Sequence, residues 1–120
     1  MTMQSIPLPS IPDEAGLEWT EHPRFRDIWV KKLITSQENP FASINVVRVP
    51  PGGVIGWHGH AEQIETVYVL AGQSALTLGE MEVPFGAGQI VAIPPGLQHT
   101  LRNTGQEDVR LLTVFTPPLA

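Results

Sequence analysis

Between Asp27 and Thr116, stretches rich in valine, isoleucine, leucine and threonine are cut at nearly regular intervals by glycine and proline. The breaks fall at Asn39-Pro40, Pro50-Pro51-Gly52-Gly53, Ala71-Gly72, Pro84-Phe85-Gly86, Pro94-Pro95-Gly96 and Asn103 to Gly105. Proline fixes φ and removes a backbone donor, and glycine opens the left-handed region, so no helix of ordinary length runs through such breaks. Their spacing is that of an all-β sandwich or barrel. Strands are expected near 27–35, 42–49, 54–60, 65–71, 73–79, 88–93, 98–103 and 108–116.

The side-chain pattern agrees. No segment keeps a 3.6-residue apolar period over a helical length, whereas several alternate with period two. Glu65, Val67 and Val69 share one face of a strand, and Thr66, Tyr68 and Leu70 share the other. Apolar groups on both faces predict that this strand is covered on both sides. Val109, Leu111, Thr113 and Phe115 alternate in the same way with Arg110, Leu112 and Val114.

A chain of 120 residues is enough for one domain around one core. Residues 1–16 are proline-rich and then acidic, so residues 1–26 are expected to form an extended arm on the barrel or a partner, and 27–120 the domain itself. Seven Lys and Arg against twelve Asp and Glu leave a formal charge of −5. That balance disfavours nucleic acid, whose phosphates bind basic surfaces, and anionic membranes. Cysteine is absent, which excludes disulfides, thiolate nucleophiles and iron–sulfur clusters. The N-terminus has neither a basic region nor a continuous apolar run, and no stretch approaches the roughly 20 apolar residues of a membrane span. A cytoplasmic location is therefore the expectation.

Three of the four histidines fall within residues 52–103, together with Glu65. His58 and His60 are two apart, on one side of an expected strand, with Gly59 between them. Glu65 opens the next strand, and His99 follows the Pro95-Gly96 turn. Imidazoles with a carboxylate suit a divalent transition metal such as Mn, Fe, Ni, Cu or Zn. Singly, each residue is ordinary: a surface or core His-x-His pair, an edge carboxylate, a loop histidine. Their shared placement in one frame of glycines and prolines makes them candidates.

That frame resembles the two motifs of the cupin superfamily. Gly52-x5-His58-x-His60-x4-Glu65-x6-Gly72 is similar to the first motif at every position, and Gly88-x5-Pro94-x-Gly96-x2-His99-x3-Asn103 to the second. The resemblance implies a cupin-type jelly-roll β-barrel of two antiparallel sheets, with a metal held inside its open end by His58, His60, Glu65 and His99. Gly52, Gly72, Gly88, Pro94, Gly96 and Asn103 would then set turns. It also implies a homodimer.

Four protein ligands leave one or two coordination positions open, as catalytic metal sites require. The expected aliphatic interior (Val67 and Val69, with Ile44, Val46, Leu101 and Phe115) suits a small organic substrate or ligand. The first functional expectation is therefore a metal-dependent oxygenase-type oxidoreductase, a dioxygenase in the simplest case. A non-catalytic metal or small-ligand binding module is the alternative, and a Lewis-acid isomerase or lyase a third. No Lys/Arg cluster offers a clamp for a sugar phosphate. Gln63 and Gln98 flank the ligands as candidate hydrogen-bonding partners. Arg48 is expected to point outward, Trp57 to face away from His58, His22 to be solvent-exposed, and Asp13, Glu14, Glu18 and Glu21 to form a solvated acidic surface.

Overall fold

A computed structural model describes residues 5–120. Among them are ten strands: β1 (Thr20–Glu21), β2 (Trp29–Ile34), β3 (Ser43–Val49), β4 (Val54–His58), β5 (Ile64–Ala71), β6 (Gln73–Leu78), β7 (Met81–Gly86), β8 (Ile90–Ile93), β9 (His99–Asn103) and β10 (Val109–Thr116). They form two antiparallel sheets, ordered β1-β2-β3-β10-β5-β8 and β4-β9-β6-β7. This is the all-β jelly roll expected. Its only helical segment among the described residues is one 3-10 turn, Glu14–Gly16, so none of their helices is long and apolar enough to cross a membrane.

Alternation builds the core. Val47 and Val49 of β3, Val67 and Val69 of β5, and Val109 and Leu111 of β10 all face inward, where they meet Leu76, Phe85 and Leu101 of the opposite sheet. Apolar area removed from water between two such faces is the main term holding a sandwich together. Gly72 makes the β5–β6 corner. Its φ is +93°, and a Cβ there would stand 2.7 Å from the Asp108 carbonyl oxygen. Asn103 ties the end of β9 to the rest, donating to the carbonyls of Val49 and Glu107 at 2.9 and 2.7 Å.

Several local expectations are corrected. Pro84-Phe85-Gly86 is not a turn but the end of β7. That strand lies at the edge of its sheet, where proline's missing donor costs no ladder bond. β4 stops at His58 rather than residue 60, and it carries a bulge: Ile55 pairs with Leu101 while His58 pairs with His99. Ile44 and Val46 lie on the outer face of β3, because Val46 is cross-strand from Lys31 and Leu112, whereas Asn45 and Val47 face in. The outer face of β5 is not covered among the described residues, since Ile64, Tyr68 and Leu70 are exposed.

The leader is partly built into the fold. β1 extends the larger sheet by pairing with β2, Thr20 opposite Val30. Glu14 is not simply solvated: its carboxylate receives Lys31 Nζ at 2.7 Å and also pairs with Arg110. Lys31, only 5% exposed, lies 4.6 Å from the centre of the Trp19 ring. Arg48 points outward as expected, its guanidinium 5.0 Å from the Trp19 ring and 5.8 Å from that of Trp29. Further back, Ile6, Leu8 and Ile11 stand exposed. Residues 1–4 of the expected arm lie outside the described residues.

Candidate metal centre

Three strand ends and one turn bring the four candidates together. His58 is the last residue of β4, Glu65 the second of β5 and His99 the first of β9. His60 lies two residues beyond β4, in a turn held by the Gly96 N–H, which donates to the His60 carbonyl at 2.8 Å. Gly59 allows the 94–98 turn to approach: a Cβ there would lie 2.5 Å from Gln98 Nε2 and 3.3 Å from the Leu97 carbonyl. One ligand atom from each of His58, His60, Glu65 and His99 lies within 4.8 Å of all the others.

Hydrogen bonds orient two of the imidazoles. His58 Nδ1 is 2.8 Å from the Gly56 carbonyl and His99 Nδ1 is 2.9 Å from the Leu97 carbonyl. A carbonyl oxygen only accepts, so each Nδ1 carries the proton and each Nε2 turns to the centre. His99 Nε2 lies 3.1 Å from Glu65 Oε1. His60 Nε2 is 3.4 Å from the same oxygen, too poorly aligned to bond, and is buried with no other partner.

The electrostatics follow from this crowding. Burial raises the Glu65 carboxyl, but the facing His60 and His99 imidazoles outweigh it and bring its pKa from 4.5 to about 2. Burial lowers His99, yet its bonds to Glu65 and to the Leu97 carbonyl prevail, and its pKa is raised. Burial dominates at His58, whose pKa is lowered. Without metal, His99 and Glu65 thus favour sharing a proton, and both would be among the residues that hold a bound cation. The residues fit a divalent ion: the donor set is three imidazoles and a carboxylate, and the orphaned His60 nitrogen has no role that the protein itself supplies.

The centre opens on a cavity of about 460 Å³ between the sheets. Val47, Val67, Leu76, Leu101, Leu111 and Phe115 give it a largely apolar wall, and Phe115 meets the His60 ring edge-on at 5.0 Å. Residues 20–25 and the C-terminal Leu119 and Ala120 line its mouth.

A family model described as a cupin domain matches residues 45–115, well over half of the chain. The chain belongs to the cupin family. This cupin is 32% identical over 69 residues to an oxalate-binding protein of Thermotoga maritima, covering 58% of this chain and 57% of that protein. Over 77 residues it is 39% identical to protein SchB of Streptomyces halstedii, covering 64% and 54%. The matched stretch thus spans just over half the length of these relatives. Among solved structures, a predicted oxalate decarboxylase of T. maritima superposes with a TM-score of 0.82 at 22% identity, over 90% of this chain and 99% of that one. At that identity the likeness speaks for the fold.

Other residues of this cupin do not sit where the sequence suggested. Gln98 is exposed and Gln63 donates to the Pro118 carbonyl at 3.4 Å; neither lines the cavity. His22, expected in solvent, is half-buried at the mouth, its ring 4.7 Å from that of Phe25, which in turn lies 5.3 Å from His58. Burial, with Arg24 nearby, lowers its pKa. Trp57 does face away from His58 and is exposed. Lys32, Asn45 and Thr113 line the cavity and were not singled out. The period-two pattern of β10 already placed Thr113 beside Phe115, which was the available signal.

Proposed function

We propose that this cupin is a metal-dependent oxidoreductase of the oxygenase type. It acts on one small organic molecule beside a divalent transition metal held by His58, His60, Glu65 and His99. The observation that carries this reading is the meeting of four ligand atoms within 4.8 Å at the wall of an apolar cavity. Such a metal supplies, when bound, Lewis acidity and electron transfer toward a coordinated diol or enol. The chain does the rest. Gly56 and Leu97 hold two imidazoles in the tautomer that presents Nε2. Phe115 packs against His60, and the aliphatic walls exclude water from the reacting molecule.

Oxygen uptake tests the reading. Protein loaded in turn with Fe, Mn, Ni and Cu is offered catechols, flavonols and diketones in an oxygen electrode, and at least one pairing is expected to consume oxygen. If every loaded form leaves oxygen untouched across the panel, the oxygenase reading is wrong.

A second reading, a binding or sensing cupin without turnover, has its own support. The Thermotoga relative is named as a binding protein. Beyond the four candidates, the titratable side chains lining the cavity are Glu21, His22, Arg24 and Lys32, and the first three belong to its mouth. Tight ligand binding with no product under any metal would favour it.

The same protein is proposed to pair with a second copy through the outer face of the larger sheet. There Ile64, Tyr68, Leu70 and Ile90 are 37–64% exposed. Light scattering that returns a monomer at micromolar concentration would exclude the dimer.

A further inference from the structure

Residues directly opposite one another in an antiparallel sheet point to the same face. Lys32 of β2 is opposite Asn45 of β3, and Asn45 is opposite Thr113 of β10. All three line the cavity, so they form one polar row across three neighbouring strands. The row is graded: Lys32 is exposed, Asn45 half-buried, and Thr113 only 3% exposed. It continues on β5 as Val67.

The rows on either side differ. One holds Ser43, Phe115 and Glu65, and so borders the metal candidates; the other holds Val30, Val47, Leu111 and Val69 and is wholly apolar. Adjacent rows on one face are about 7 Å apart, the rise of two strand residues. The polar row thus lies one such step from Glu65.

One observation says that this row meets something other than protein, and a second that the charge at its open end is free to take part. Thr113 Oγ1 is buried and has no hydrogen-bond partner. Buried hydroxyls are nearly always paired, and an unpaired one is costly. Lys32 has no ion-pair partner among the described residues. Glu21, the acidic side chain at the mouth, is turned to the Asp27 N–H at 2.8 Å and forms no ion pair with Lys32.

We propose that Lys32, Asn45 and Thr113 form a recognition site for a carboxylate on the ligand's far end, one strand step from the metal candidates. The cavity ligand is then an organic acid with an apolar body. Its ring or chain lies among Val47, Val67 and Leu111, and its carboxylate accepts from the Lys32 ammonium, the Asn45 amide and the Thr113 hydroxyl. The inference rests on the cavity being a small-molecule site, but not on turnover there.

The test is calorimetric titration of the full chain with benzoate, phenylacetate and trans-cinnamate, each against its primary amide. At least one acid is expected to bind about tenfold or more tightly than its amide, both with metal and without it. Lys32→Met is expected to remove that preference while leaving metal content unchanged. Thr113→Val is expected to weaken acid binding several-fold and to melt no lower than the wild type, because it deletes a buried hydroxyl that lacks a partner. A Thr113 serving only the fold would instead lower the melting temperature and leave the preference intact. The proposal is overturned if no acid binds, if acids and amides bind alike, if the preference needs the metal, or if it survives in both variants. Acid binding without oxygen uptake would count against the oxygenase alone, and oxygen uptake without an acid preference against this site alone.

Discussion

His99 Nε2 lies 3.1 Å from Glu65 Oε1 while its Nδ1 donates to the Leu97 carbonyl, so both ring nitrogens face acceptors. An imidazole so placed favours its charged form, and it is this proton that a metal must displace.

The first prediction is a stability optimum in weakly acidic solution for metal-free protein. Glu65 falls from 4.5 to about 2 on folding, so its contribution is complete above 4.5 and lost as pH drops toward 2. On the order of 3 kcal/mol is at stake there. His99 is raised from 6.5, so its contribution is complete below 6.5 and lost as pH rises through its folded pKa. His58 and His22, both lowered from 6.5 by burial, add stability as pH rises toward 6.5, so calorimetric melting between pH 3 and 9 should peak near the upper of these limits; a flat profile would contradict the pairing. Metal affinity should move the other way, rising with pH as His99 gives up its proton.

Removing His60 should empty the centre without unfolding the barrel. Its side chain lies outside β4 and its Nε2 has no hydrogen-bond partner, so the cost to the fold is limited to its share of the attraction for the Glu65 carboxylate. His60→Ala is expected to lower metal affinity by more than about 100-fold, beyond the loss seen when only an outer partner is removed. Elemental analysis after dialysis against a weak chelator reads this directly. Unchanged metal content would refute the ligand assignment.

Two left-handed glycines should respond unequally. Gly72 and Gly88 have φ of +93° and +88°, but only at Gly72 would a Cβ meet backbone, 2.7 Å from the Asp108 oxygen and 2.9 Å from Val109 Cα. Gly88→Ala should cost about 1–2 kcal/mol in urea unfolding, the strain alone. Gly72→Ala should cost more, at least about 3 kcal/mol, because the β5–β6 corner must also move.

Glu14 should matter more than an arm residue ordinarily does. It neutralises Lys31, which is 5% exposed, but is itself about one-third exposed. Glu14→Ala is therefore expected to cost about 1–3 kcal/mol, below the value for a fully buried pair. Lys31→Met, which removes the buried charge and keeps its length, should cost less. Equal losses in the two variants would mean that the pair's charge is not what holds the leader down.

Sequence periodicity was most legible where burial was one-sided in effect. In β10, a central strand, Val109, Leu111, Thr113 and Phe115 face the core as their alternation implies. In β3 the apolar pattern misplaces Ile44 and Val46 in the interior, because the outer face is also covered, Val46 being 2% exposed there, and both faces are therefore apolar. Asn45 was overlooked for that reason. β7 was hidden by Pro84, a turn signal except at a sheet edge. His22 reached the cavity mouth only through β1 pairing with β2, a tertiary event that no local pattern announces. The four metal candidates stood out because turn glycines and prolines fixed their separations, yet His60 comes to the centre from a turn rather than from the strand face expected.

The single extra residue in β4 separates two demands that a regular strand would couple. Ile55 and His58 both face the cavity although they are three apart, which strict alternation forbids. The strand before the bulge keeps its own phase for packing, and the residue after it keeps another for chemistry. Substitutions that retune the wall at Ile55 can therefore accumulate without rotating His58 away, and the pocket is free to diverge around a fixed centre.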